Sequence, residues 1–331
     1  MIELRPRHTH LHGCCDDMIG CVAEYYGSNA IYSYVTGLCF NYTRKAVVEA
    51  PLLDVYRIVC LPKGLRYLTD CLNIDVQVYY PIRKNDIDLL LKKNLACGPV
   101  GVNVDAYYCS WNTEYYQRYR MPHYFLLTQA DKQRDIIACA DGYIFPEIKE
   151  ASYQSLIPHI NALLCFRQGR EATEPGLHTI CNNVKKEIVV NEQYTICHQI
   201  EMFANDILNH HFSEKEKFLF KDLMHSQFIF SSAMVHDSRM RFSLLFAYLY
   251  ERFGYSELQE ICKAASASAK KWKVVFNLII KAFYSCAEKT ALDSAHTTLL
   301  EIADEECGII DAVIALQEKT RSIGSVDTIG F

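Results

Sequence analysis

His8-Thr9-His10-Leu11-His12-Gly13-Cys14-Cys15-Asp16-Asp17, running into MIGCVAEYYG over residues 18–27, reads as a polar turn that hands a thiol to the start of a helix. Met18, Ile19, Val22, Ala23 and Tyr26 recur at the spacing of one helical face, and Gly27 ends the pattern as a C-cap. Cys14 or Cys15 therefore lies in the first turn. Unpaired N–H groups and the positive end of the helix dipole favour a thiolate there. The thiolate is the nucleophilic form of cysteine, so this segment supplies a candidate nucleophile.

Working outward, the first half mixes helix and strand. Leu65–Leu72 reads as a short helix, and IDVQVYY over residues 74–80 alternates as a strand does. A helix is expected from Ile87 to about Asn94. Three strand candidates follow at 98–104, His123–Thr128 and Ile136–Ala140. A helix followed by closely spaced strands implies α+β rather than alternating βαβ units. From about Glu192 the pattern turns helical, with pieces at Tyr194–His210, Glu214–Ser231, Arg239–Phe253, Ser256–Ser268, Trp272–Ala287 and Ala291–Ala303. Gln168–Val184 reads as the linker and the last residues as a loose tail. The expected organisation is a catalytic α+β domain over 1–167 and a mostly α-helical domain over 168–331.

Composition narrows the function classes. The chain has 331 residues, 50% of them hydrophobic and 22% charged, with a formal net charge of −5. That balance is globular and argues against a nucleic-acid partner, which needs a basic face. No apolar run has the length of a membrane span or the form of a signal-peptide core, so a cytoplasmic protein is expected. The 15 cysteines contain no C-x-x-C pair. Most are expected to be small buried hydrophobes rather than disulfides or zinc ligands.

A thiol nucleophile needs a base, and the base needs a partner that fixes its tautomer. His123, opening a strand, and Asp141, following the next, supply both types in order after the thiol. His8, His10 and His12 alternate and would share one face of an extended segment. Further metal ligands are not found, so no metal site is expected. Between Asp105 and His123 lie six aromatic rings: Tyr107, Tyr108, Trp111, Tyr115, Tyr116 and Tyr119. They read as either a substrate wall or packing surface, and Asp105 as either an amine ligand or a loop cap.

Cys14-x12-Gly27, closing on Tyr25-Tyr26-Gly27, resembles the papain-like enzymes related to the bacteriocin double-glycine peptidases. Gly98-Pro99-Val100, Val104-Asp105-Ala106-Tyr107-Tyr108, Trp111, His123-Tyr124-Phe125-Leu126-Leu127 and Asp141 are similar to the BtrH-type N-terminal domain of butirosin biosynthesis. The amide-forming enzymes of closthioamide biosynthesis are related to it. The resemblance implies a papain-like domain with Cys14, rather than Cys15, as nucleophile and His123 and Asp141 as base and orienting acid. It implies an acyltransferase of antibiotic or other secondary-metabolite biosynthesis. Such an enzyme takes an acyl group from a carrier-protein thioester, through a Cys14 acyl-enzyme, to an amine acceptor. No resident cofactor is implied, because the donor rides on the carrier's phosphopantetheine. Asp105, Tyr107, Tyr108 and Trp111 become candidate substrate contacts, and Lys270–Lys273 with Arg167 and Arg170 a candidate carrier-docking patch. The peptidases carry a Gln before the cysteine as oxyanion donor; here His8, His10, His12 and Cys15 are the candidates. A cysteine peptidase or amidase of the same fold and a non-catalytic module are the alternatives. The oligomeric state is left open.

Overall fold

The computed structural model describes residues 2–8, 11, 13–44, 56–59, 65–169, 174–191, 194–212, 227–284 and 288–324. The chain divides into two compact units, one of residues 1–33 with 65–175 and the other of residues 34–64 with 176–331. The boundary is thus at 175/176 rather than 167/168, because residues 160–168 form a strand that belongs to the first unit. Residues 34–64 also group with the helical unit, which no single cut of the chain could give.

The first unit is built on six antiparallel strands: β3 (Ile74–Tyr79), β4 (Val100–Asp105), β5 (Pro122–Asp131), β6 (Ile136–Ala140), β7 (Ile148–Ser152) and β8 (Ile160–Gln168). Their order is β3-β8-β4-β5-β6-β7. This is the expected α+β class. Alternation places Val100, Val102, Val104, Phe125 and Leu127 in one core with Ile87 and Leu91 of helix α3 (Ile87–Leu95). Helix α1 (Cys14–Tyr25) buries Met18, Ile19, Val22 and Ala23 and packs against β5. Gly27, at φ 73°, and the Ser28 N–H to Ala23 O bond close α1 as the sequence predicts. Helix α2 (Arg66–Leu72) matches its expected span, and a single turn, α4 (Tyr153–Leu156), follows β7.

The second unit carries the hairpin β1 (Asn41–Arg44) and β2 (Tyr56–Val59) and the helices α5 (Leu177–Ile188), α6 (Ile196–Leu208), α7 (Gln227–Phe253), α8 (Ser256–Tyr284) and α9 (Glu288–Gly324). The expected linker therefore contains a helix, α5. The pieces Ser256–Ser268 and Trp272–Ala287 merge into α8, because Ala269-Lys270-Lys271 contains no helix breaker. Leu258, Ile261, Ala265, Ala269, Trp272, Phe276 and Ile279 form its continuous buried stripe. Residues 213–226, where part of another expected helix falls, lie outside the described residues. Among the described residues no helix is long and apolar enough to cross a membrane, and the cysteines are free thiols.

Candidate active site

α1 begins at Cys14, with extended Gly13 (φ −172°) as its N-cap. Gly13 has no side chain to cap that end, and the positive end of the helix dipole lies at the half-buried Cys14. β5 and β6 form an antiparallel pair with Leu126 opposite Ala140. The start of β5, with His123, and the residue after β6, Asp141, consequently meet at one end of the sheet. The polypeptide brings together residues 14, 123 and 141, as the sequence predicts.

The bonding is directional. His123 Nε2–H donates to Asp141 Oδ2 at 2.7 Å, and both side chains are buried. The Cys14 thiol is the other hydrogen-bonding neighbour of the ring. With Nε2 engaged, Nδ1 is the nitrogen left to meet it. Burial pulls the His123 pKa down, but the charge and hydrogen bond of Asp141, together with Cys14, outweigh it and raise the value to about 10. The ring is therefore an imidazolium at neutral pH, suited to pair with a thiolate and to return a proton. Burial pushes the neighbouring Cys21 up to about 11 and raises Cys109 and Cys139 as well. These thiols are held protonated, away from chemistry.

Trp111, one of the expected substrate contacts, is engaged with Asp141. Its indole N–H donates to Asp141 Oδ2 at 2.8 Å, and its ring packs edge-on to Phe125 with centroids 5.0 Å apart. One carboxylate oxygen thus orients on two rigid rings. The turn beyond is fixed by Ile144 N–H and Phe145 N–H donating to Asp141 O at 3.1 and 2.9 Å. Sequence reasoning missed the Trp111 bond, although the need of a buried indole N–H for an acceptor is the signal that points to it.

A second missed element is the N-terminal arm. His8 Nδ1–H donates to Gly142 O at 2.8 Å, next to Asp141. Arg7 N–H donates to Cys21 Sγ at 2.9 Å, and the Arg7 guanidinium pairs with Glu24 at 2.8 Å. Two consecutive residues thereby tie the helix of Cys14 to the turn of Asp141. A Cβ on Gly142 would stand 1.8 Å from Arg7 O, so only glycine lets the arm lie there. The Nδ1–H of His8 is thus engaged on a backbone carbonyl. His10 and His12 lie outside the described residues.

Asp105 is a loop cap. Oδ1 accepts from Tyr107 N–H and Met121 N–H, both at 3.1 Å, and Oδ2 pairs with Arg120 at 3.0 Å. This set of contacts uses the carboxylate to organise the loop, the capping role of the two the sequence offers. Cys15 is half-buried in α1. Tyr143 stands beside His123, ring centroids 6.2 Å apart. Burial and then the charge of Cys14 raise the Tyr143 pKa to about 12, so its hydroxyl stays protonated as a donor. Tyr107 and Tyr108 line a space with Ser155 and His159 that Cys14 does not border. In the candidate docking patch, Trp272 is core, Lys271 is paired with Glu301 and Glu305, and Arg170 lies outside the described residues. Among the described residues no group of three or more His, Cys, Asp or Glu side chains could hold a metal ion. No protein-family model matches this chain, and no curated protein sequence matches it.

Proposed function

We propose that this protein is a papain-like, cysteine-dependent acyltransferase that forms an amide from a carrier-protein thioester and an amine. The observation that carries the reading is the assembled set Cys14, His123 and Asp141, with the thiol on a helix start and the imidazolium buried beside it. Cys14 Sγ attacks the thioester carbonyl, and backbone N–H groups at the start of α1 receive the developing oxyanion. The carbon–sulfur bond to the carrier's phosphopantetheine breaks, and His123 protonates the departing thiolate. The acyl group is then a thioester of Cys14. The amine attacks that carbonyl, His123 takes its proton, and Cys14 leaves as the thiolate with the amide as product. Asp141 keeps the ring oriented throughout, and Trp111 keeps Asp141 oriented.

Exchange of one thioester for another is nearly isoenergetic, and the greater stability of the amide drives the second step. The enzyme needs no cofactor of its own, since the donor's phosphopantetheine belongs to the carrier. A cytoplasmic place in the assembly of a carrier-bound secondary metabolite suits this chemistry.

Intact-mass analysis after mixing with an acylated carrier protein tests the reading. The wild type should gain one acyl group and Cys14→Ala none. Adding an amine should discharge the adduct as amide. An undiminished adduct in Cys14→Ala would refute the nucleophile. Free acid as the main product with amine present would favour a hydrolase.

A further inference from the structure

α6 packs along α9 within the helical unit, and the contact brings two thiols together. Cys197, in the first turn of α6, shares a hydrogen bond with Cys307, near the middle of α9. The two residues lie 110 positions apart in the chain. We propose that this pair is an oxidative modification site: a hydroperoxide converts Cys307 and Cys197 into a reversible disulfide that locks α6 to α9. The inference does not depend on the acyl-transfer reading.

Both sulfurs are carried by anchored helices. Thr195 caps α6 with its side chain, which accepts from His198 N–H. Gln199 Oε1 accepts from Tyr42 N–H at 3.1 Å, and Phe203 packs against Phe40 and Tyr42. On α9 the residue before Cys307 is Glu306, gripped by Arg239, Ser268 and Trp272. The thiols therefore meet at a packed interface rather than on loops. Sulfurs already in hydrogen-bonding contact have little further to travel to a bond.

Exposure divides the roles. Cys307 is exposed, whereas Cys197 is only 4% exposed. A dissolved oxidant reaches the first sulfur and not the second. Burial, then the hydrogen bond and charge of Cys307 and the charge of Glu306, holds Cys197 above its ordinary pKa, so it keeps its proton. An accessible thiol poised beside a second one is the arrangement of a redox-sensing pair. Cys109 and Cys139 are also near neighbours, but both are sealed in the core of the sheet unit.

The steps balance. Cys307 Sγ attacks the O–O bond and takes one oxygen as a sulfenic acid. The other oxygen leaves, with the Cys307 proton, as alcohol or water. Cys197 Sγ then attacks the oxidised sulfur. The S–S bond forms, the S–O bond breaks, and the Cys197 proton leaves with the hydroxide as water. The thiols lose two electrons and the peroxide gains them.

Treating the full chain carrying Cys14→Ala with excess hydrogen peroxide tests the site, since that background removes the active-site thiol. Free thiols are then blocked with N-ethylmaleimide and peptides mapped without reductant. The Cys197 and Cys307 peptides should appear joined, and dithiothreitol should separate them. With Cys197→Ser added, Cys307 should instead accumulate as a sulfenic acid that dimedone captures, at least about tenfold more than with Cys197 present. Closing so long a loop should raise Tm by about 5–10 °C on oxidation, a rise absent from Cys197→Ser and from Cys307→Ser. A Cys307 left reduced, equal dimedone capture with and without Cys197, disulfides scattered over other cysteines, or a Tm unmoved by the cross-link would overturn the proposal.

Discussion

Each unit of this protein buries a carboxylate that accepts a hydrogen bond from a tryptophan N–H, and the two clusters differ in what remains unsatisfied. In the helical unit, Glu306 Oε1 accepts from Arg239, Ser268 and Trp272 at 2.9, 2.6 and 2.9 Å, and Oε2 from Arg239 at 2.8 Å. The guanidinium also donates to Cys39 O and Leu38 O. Arg239 and Glu306 are both fully buried. Every strong group there has a partner, and arginine does not give up its proton at any ordinary pH. In the sheet unit, Asp141 Oδ2 accepts from His123 and Trp111, while buried Oδ1 has no partner among the described residues. Its cationic partner is a histidine, which titrates, and that histidine meets a half-buried thiol. A closed network of fixed charge holds a fold together; an open one that ends on a titrating ring and a thiol is equipped for proton transfer.

Breaking each cluster should therefore have a different signature. The largest effect expected is on chemistry: Cys14→Ala should lower amide formation by about 10⁴-fold or more with the urea midpoint unchanged. Arg239→Met should do the reverse. Stranding the Glu306 carboxylate should cost about 3–5 kcal/mol in urea unfolding, and the double change with Glu306→Leu should recover most of it. Gly142→Ala drives a Cβ into Arg7 O. It should cost about 1–3 kcal/mol by calorimetry and slow the reaction, because the arm and the Asp141 turn share that contact. Trp111→Phe deletes one hydrogen bond to a carboxylate and should slow turnover by about tenfold.

The pH dependence sharpens the contrast further. His123 has a folded pKa near 10, above its ordinary 6.5. The stability it contributes is full below about pH 6.5 and is lost as pH rises through 10. Urea midpoints should therefore fall from pH 6.5 to 10 in the wild type, and less so in His123→Gln. Arg239, an arginine, keeps its charge across that window.

The sequence made the site more legible than its surroundings. Cys14, the Gly27 cap and the strands that deliver His123 and Asp141 are local patterns, each readable within a dozen residues. β8, an interior strand between β3 and β4, gives no strand signal because Ala162-Leu163-Leu164-Cys165-Phe166 is a continuous apolar run, buried on both faces and without alternation. The long helices of the second unit were read in fragments. Their polar interruptions at Lys270 and Lys271 fall on the exposed side of an unbroken stripe. Nothing local shows that residues 34–64 group with the helical unit, that Trp111 reaches Asp141, or that Arg7 and His8 bridge two parts of the site. These are pairings over long sequence separation, set by topology rather than by propensity.

The most direct test of the coupled thiol and imidazole is iodoacetamide labelling at pH 6.5, mapped peptide by peptide. Cys14 should react first, ahead of the exposed thiols Cys97 and Cys307, and its rate should fall at least about tenfold in His123→Ala. A Cys14 no faster than Cys97, or one indifferent to the loss of His123, would contradict the assignment.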